Sequence, residues 1–79
     1  VLGAWVIDTW HKLGQPQPWH LVELGPGYGT LMSDVLRILQ RHAPQAYTAA
    51  QVALVEISPR LIARQRQTLN SHPQVQWHT

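Results

Sequence analysis

The stretch His20-Leu21-Val22-Glu23-Leu24-Gly25-Pro26-Gly27-Tyr28-Gly29-Thr30 joins a short apolar run to an acid and then to three glycines at alternate positions. Leu21 to Leu24 predicts a buried parallel strand. The glycines supply the sharp turn that lets a helix begin at about Thr30 with its first amides unpaired. A turn of this kind carries bare backbone amides up to a nucleotide-like ligand, and the acid and the glycine spacing then select which ligand.

A dinucleotide fingerprint, G-x-G-x-x-G, counted from Gly25 requires its third glycine at position 30, where this chain has Thr30. A phosphate-cradling P-loop requires four residues between its glycines and then a lysine, and no lysine lies in this stretch. What remains is E-x-G-x-G-x-G at the end of a first strand. It resembles motif I of the class I S-adenosylmethionine-dependent methyltransferases, whose ligand carries an ammonium and a sulfonium but no phosphate. Glu23 suits that ligand. A carboxylate repels a pyrophosphate but attracts the methionine ammonium, directly or through a water. The plainer alternative is that Glu23 caps a nearby amide.

A second acid supports a cofactor site. Gln51 to Glu56 is another apolar run ending in a carboxylate, followed by Ile57-Ser58-Pro59, where a helix can start with Ser58 as N-cap and Pro59 at its first position. In a strand-helix-strand unit the second strand lies beside the first, which brings Glu56 near the glycine turn. There it can accept both ribose hydroxyls of a nucleoside, a role common to NAD and S-adenosylmethionine sites. From Gly29 to Glu56 is 27 residues, longer than the ~20 of a compact dinucleotide unit. A loop over residues 45–50 is expected to hold the excess.

The rest of the chain fits the same architecture. Val1 to about Leu13 predicts a helix with Leu2, Trp5, Val6, Trp10 and Leu13 at helical spacing, ended by Gly14. Gln15-Pro16-Gln17-Pro18 is a stiff linker, and the first strand spans Trp19 to Leu24. Thr30 to His42 predicts the second helix, with Leu31, Val35, Ile38 and Leu39 inward, stopped by Ala43-Pro44. Pro59 to Asn70 predicts the third, burying Leu61, Ile62, part of Gln65, and Leu69. Ser71-His72-Pro73 breaks it before a third strand from Val75. The order α-β-α-β-α-β predicts an α/β fold with a parallel sheet. The chain starts without methionine and stops inside a strand, so we expect one part, residues 1–79, of a larger doubly wound domain.

Composition excludes little. Six basic residues against four acids give a net charge of +2, but Arg41, Arg60, Arg64 and Arg66 lie at helix ends or on a helical face, where solvated surface explains them without nucleic acid. There is no cysteine, hence no disulfide or thiolate metal site within these residues. The five histidines, at 11, 20, 42, 72 and 78, show no i, i+3 or i+4 pairing, so no local metal site is expected. His42 suits a helix C-terminus, and Asp34, read as first-turn, a helix N-terminus. Trp5 and Trp10 share the apolar stripe and are expected in the core, although either could stack an adenine. Trp19 and Trp77 open strands and are expected at the rim or in the core. No stretch approaches the ~18 apolar residues of a membrane span, and no nucleophile sits beside a base.

Three segments together resemble one family, the MidA-type methyltransferases: Gly3-x-Trp5, the string from Glu23 to Arg37 (ELGPGYGTLMSDVLR), and Leu54 to Leu61 (LVEISPRL) with Gln65 after it. The family usually has arginine where this chain has Tyr28. The resemblance implies a Rossmann-like, seven-stranded class I methyltransferase sheet, a helical insertion over the active site, and S-adenosyl-L-methionine as cofactor. It implies a protein substrate methylated on arginine, with members linked to respiratory complex I assembly. Mitochondrial matrix is expected for a eukaryotic member and cytoplasm for a bacterial one. The cofactor set that follows is Glu23, Gly25, Pro26, Gly27, Gly29, Thr30, Glu56 and Ile57, with Glu23 and the glycines at the methionine half and Glu56 at the ribose. Catalytic carboxylates are expected outside residues 1–79, because two of the four acids present are already assigned to the cofactor. A Rossmann-like binding or assembly module without methyl transfer is the alternative, and an NAD-dependent oxidoreductase, disfavoured by Thr30, a third.

Overall fold

In the computed structural model, which describes residues 2–79, the elements run α1 Leu2–Lys12, β1 Trp19–Leu24, α2 Thr30–His42, α3 Pro44–Ala49, β2 Ala50–Val55, α4 Pro59–Thr68 and β3 Val75–His78. The three strands are parallel in the order β1-β2-β3, with Leu24 opposite Val55 and Val55 opposite His78. The α/β expectation holds. Val1, where the first helix is expected to start, lies outside the described residues.

One sheet face is covered by helices. Val52, Leu54 and Val75 pack there with Met32, Val35, Leu36 and Leu39 of α2, Ala46 of α3 and Leu69 beyond α4. The alternate strand residues face the other way, and Val22 and Leu24 of β1 are exposed there. A broad concavity lies on this open face, lined by His20, Gln51, Ala53, Gln76 and His78.

Several expectations need correction. The inward face of α1 is Gly3, Val6 and Trp10, whereas Leu2, Trp5 and Leu13 are exposed, Trp5 at 63%. The cause is Gly3. A Cβ there would lie 2.8 Å from the Cβ of Ile38, so the missing side chain is what lets α1 sit against α2 along that line. Trp10 behaves as expected, buried and donating its indole N–H to the Pro16 carbonyl at 3.0 Å. In α2 the inward stripe is Met32, Val35, Leu36 and Leu39, with Leu31 exposed and Ile38 half-buried. Both stripes satisfy a 3.6-residue period, and only tertiary packing separates them.

The expected loop at 45–50 is mostly helix. Pro44 has no N–H with which to extend α2, yet its fixed φ suits the first turn of α3. The Trp19 indole N–H donates to the Ala46 carbonyl (2.8 Å), and the Tyr47 hydroxyl meets His72 Nδ1 (2.7 Å). These bonds tie α3 to β1 and to the turn before β3. His72 is buried, and burial lowers its pKa. Trp19 and Trp77 are both half-buried against the core. Asp34 lies past the first turn of α2 and pairs with Arg37 at 3.2 Å on the surface, a contact of small energetic weight. His42 is the last residue of α2, as its dipole reading requires. Arg64 and Arg66 stay exposed but stack over aromatic rings, Tyr28 at 5.0 Å and Trp77 at 4.4 Å, rather than standing free in solvent. Ladder pairing shifts β2 one residue earlier than expected, and α4 ends at Thr68 rather than Asn70. Within α4 the order of burial also differs, because Gln65 is fully enclosed while Leu61 and Ile62 are half-buried.

Gly3→Ala tests the α1 docking. Helix propensity alone would stabilise the variant by ~1 kcal/mol, but the branched Ile38 side chain must give way, and overpacking costs about 1 to 3 kcal/mol. A lower melting temperature for the full-length variant is expected. A higher one would mean that α1 is not held at this distance.

Candidate functional site

Parallel strands end at one rim, and that rim carries the two acids and the glycine turn. The N–H of Gly25 donates to the Val55 carbonyl at 2.9 Å, one rung beyond the β1–β2 ladder. The chain then turns through Pro26, which is buried, and the N–H of Gly29 closes back on the Pro26 carbonyl at 3.0 Å. Thr30 follows as the first residue of α2, exposed at its N-terminus.

Gly25, Gly27 and Gly29 have φ of 60°, 61° and 84°, a region that disfavours any residue with a Cβ. Space separates their roles. A Cβ at Gly25 or Gly27 would meet nothing within 4 Å, so the loop presents bare backbone to an open cleft. A Cβ at Gly29 would lie 3.5 Å from Gln65 Cα, so this third glycine faces α4 instead.

Glu23 points from β1 into the same end. It is half-buried, and its Oε1 is fully enclosed with no hydrogen-bond partner. The simpler reading of Glu23, as a cap on a nearby amide, therefore has no bond to that oxygen to support it. Burial raises its carboxyl pKa above 4.5. A buried acceptor without a donor is costly, and a cation or N–H donor brought by a ligand would relieve it.

Glu56 follows β2 directly, and its own N–H bonds the His78 carbonyl at 3.0 Å. Only 9% exposed, it accepts from the Ser58 N–H through Oε2 (3.2 Å) and from Gln65 Nε2 through Oε1 (3.3 Å). Each oxygen retains a lone pair for a further donor. Ile57, the next residue, is an exposed apolar side chain, 80% accessible. Ser58 caps α4 as expected, accepting from the Leu61 N–H at 3.3 Å.

Every residue of the sequence-derived set thus lies on the β1 and β2 ends or in the segments leaving them. The remaining acids lie elsewhere, Asp8 paired with Lys12 at 2.9 Å on α1 and Asp34 with Arg37 on α2. Among the described residues no three His, Cys, Asp or Glu side chains converge as a metal site, and no helix is long and apolar enough to cross a membrane. Sequence reasoning missed the part taken by Gln65, whose Nε2 also donates to the Gly27 carbonyl at 2.7 Å. The available signal was a glutamine between Leu61 and Leu69 at four-residue spacing, a polar residue on a buried stripe.

The raised pKa of Glu23 fixes the sign of a pH effect. An acid whose folded pKa exceeds its unfolded value contributes stability below the unfolded value, and that contribution is lost as pH rises through the folded one. Unliganded Glu23→Gln should therefore gain stability relative to wild type as pH climbs from below 4.5 toward neutrality, measured by denaturant unfolding at a series of pH values. A difference independent of pH would show that the Glu23 carboxyl is solvated.

Comparison with known proteins adds the family. The family model described as "Putative S-adenosyl-L-methionine-dependent methyltransferase" matches residues 1–79. The chain is 43% identical over 67 residues to the mitochondrial protein arginine methyltransferase NDUFAF7 homolog of Drosophila melanogaster, covering 85% of this chain and 15% of that protein. It is 43% identical over 70 residues to mitochondrial protein arginine methyltransferase NDUFAF7 of Xenopus tropicalis and 41% identical over 70 residues to that of Homo sapiens, in both cases 87% of this chain and 16% of the relative. The chain thus spans about one sixth of the length of these relatives. A glycine turn and two acids on adjacent parallel strand ends, with a family match along the whole sequence, place this chain in the S-adenosyl-L-methionine-dependent methyltransferase family.

Proposed function

We propose that residues 1–79 form the cofactor-binding part of a protein arginine methyltransferase. The observation that carries the proposal is the enclosed, unpartnered Glu23 oxygen at the mouth of a turn whose Gly25 and Gly27 leave room for a ligand. An amino-acid ammonium fits that oxygen, and a pyrophosphate does not. The residues present therefore suit S-adenosyl-L-methionine, which supplies a methyl group made electrophilic by its sulfonium.

In this reading Glu23 holds the ammonium, and Gly25, Pro26, Gly27, Gly29 and Thr30 shape the methionine half with backbone amides. Glu56 accepts the ribose hydroxyls and Ile57 covers the adjoining apolar surface. These residues contribute orientation and exclusion of water, the main terms for an in-line displacement. The relatives' names indicate a protein arginine as acceptor. Its guanidinium has a pKa above about 12, so it must be oriented and relieved of a proton by carboxylates. Asp8 and Asp34 lie on exposed helix surfaces in ion pairs, so we assign that work to groups beyond this segment. A mitochondrial setting follows from the relatives' names for a eukaryotic protein, and a cytoplasmic one is proposed for a bacterial protein. The MidA-type resemblance extends the proposal to a role in respiratory complex I assembly.

Calorimetric titration of the full-length protein should show S-adenosylhomocysteine binding in preference to NAD, and equal or tighter NAD binding would sink the assignment. Glu56→Ala should weaken S-adenosylhomocysteine by roughly ten- to a hundredfold, about 1.4 to 2.7 kcal/mol, and should lower stability as well, because the Ser58 N–H and the enclosed Gln65 amide lose their acceptor. An analogue without both ribose hydroxyls should bind wild type poorly but lose little more in Glu56→Ala. If the two losses simply add, Glu56 does not contact the ribose.

A further inference from the structure

Gln65 lies in the middle of α4 and is completely enclosed. Its amide nitrogen donates twice, to the Gly27 carbonyl (2.7 Å) and to Glu56 Oε1 (3.3 Å), and its oxygen accepts from the Trp77 indole N–H (2.9 Å). One side chain therefore joins the glycine turn, the strand-end acid and β3. Its two amide hydrogens are both used, and its own Cα backs the third glycine of the turn.

This connection has a directional effect. In a trans peptide the carbonyl and the next N–H point opposite ways, so drawing the Gly27 carbonyl toward α4 aims the Tyr28 N–H away from it. The bond to Oε1 likewise fixes the rotation of the Glu56 carboxylate, whose other oxygen is held by the Ser58 N–H. The amide fork thereby sets the separation and the orientation of both halves of the cleft. A leucine at this position would fill the volume but take these partners from two acceptors and one donor.

We infer that Gln65 is the positioning residue of the cofactor site, acting through Gly27 and Glu56 to align the methionine-side turn with the ribose-side carboxylate. The inference rests on the proposed binding of S-adenosyl-L-methionine by these two elements. Gln65 touches no ligand itself. The charged group in contact with it is Glu56. Arg66 stacks on the far partner Trp77, and the His78 side chain alternates to the opposite sheet face.

The test uses the full-length protein with Gln65→Met and Gln65→Glu, titrated with S-adenosylhomocysteine and with its analogue lacking both ribose hydroxyls, below the melting temperature of each variant. Gln65→Met keeps the approximate shape and removes every hydrogen bond. It should weaken S-adenosylhomocysteine roughly ten- to a hundredfold and shrink the preference for S-adenosylhomocysteine over the analogue. Gln65→Glu keeps an acceptor for Trp77 but sets an anion beside Glu56. Its deficit relative to wild type should be large near about pH 8 and narrow toward about pH 6, as a protonated carboxyl regains one donor. Unchanged preference in Gln65→Met, or a Gln65→Glu deficit that ignores pH, overturns the positioning role while leaving the cofactor assignment intact. A wild type that does not distinguish the two ligands overturns both the positioning role and the assignment of Glu56 to the ribose.

Discussion

The hydrogen bond from the Gly25 N–H to the Val55 carbonyl is the constraint on which the rest of the rim depends. It extends the β1–β2 ladder one step past the last strand residue and starts the turn from a fixed point. Parallel pairing is what makes that point useful. Two antiparallel strands would put Glu23 and Glu56 at opposite edges, whereas parallel neighbours end together and must be joined by a long crossover. The crossover helices then cover one sheet face and supply the core in which Leu36, Leu39 and Leu54 are fully enclosed. Cleft and core are two results of one pairing pattern.

The rim is electrostatically two-sided. α2 and α4 both begin there, so the positive ends of two helix dipoles lie at this rim. Two carboxylates stand among them. The Glu56 carboxylate is held from both sides, by Ser58 and Gln65, and is ready to accept more. At Glu23 one oxygen has no such support. The difference matters because a satisfied buried acid can serve as scaffold, whereas an unsatisfied one has a standing demand for a donor. A ligand carrying an ammonium meets that demand.

What could be read from the residues divides along a physical line. β1 and α2 match their expected bounds because local signals fix them: prolines before Trp19, glycines before Thr30, and Ala43-Pro44 after His42. The Ser58-Pro59 start of α4 is local too, and so is the placing of Glu23 and Glu56 at strand ends. The inward faces of α1 and α2 are legible only in part: Val6, Trp10, Val35 and Leu39 are buried as expected, but Leu2, Trp5, Leu13 and Leu31 are not, because rotation about a helix axis is decided by the neighbour. Gly3 against Ile38 turns Trp5 outward, and Ile38 lies on the next helix but far along the chain from both. α3 was missed because a proline that stops one helix also starts another. Gln65 was placed on the right helix, but its partners are 38, 9 and 12 residues away, and a network of that span is visible only when the chain is folded.

The helix α3 also bears on how related chains are found. Closing a longer crossover costs little, since each doubling of a flexible loop adds only about 0.6 kcal/mol of closure free energy, and here the added residues carry their own bonds from Trp19 and Tyr47. The ladder, not the linear count, determines where Glu56 arrives relative to Gly25. The interval between the glycine turn and the second acid is therefore free to drift through insertion and deletion while the two ends stay within one hydrogen bond of each other. A pattern search that fixes that interval would pass over this chain, and one that allows it to vary but demands an acid at each strand end would keep it.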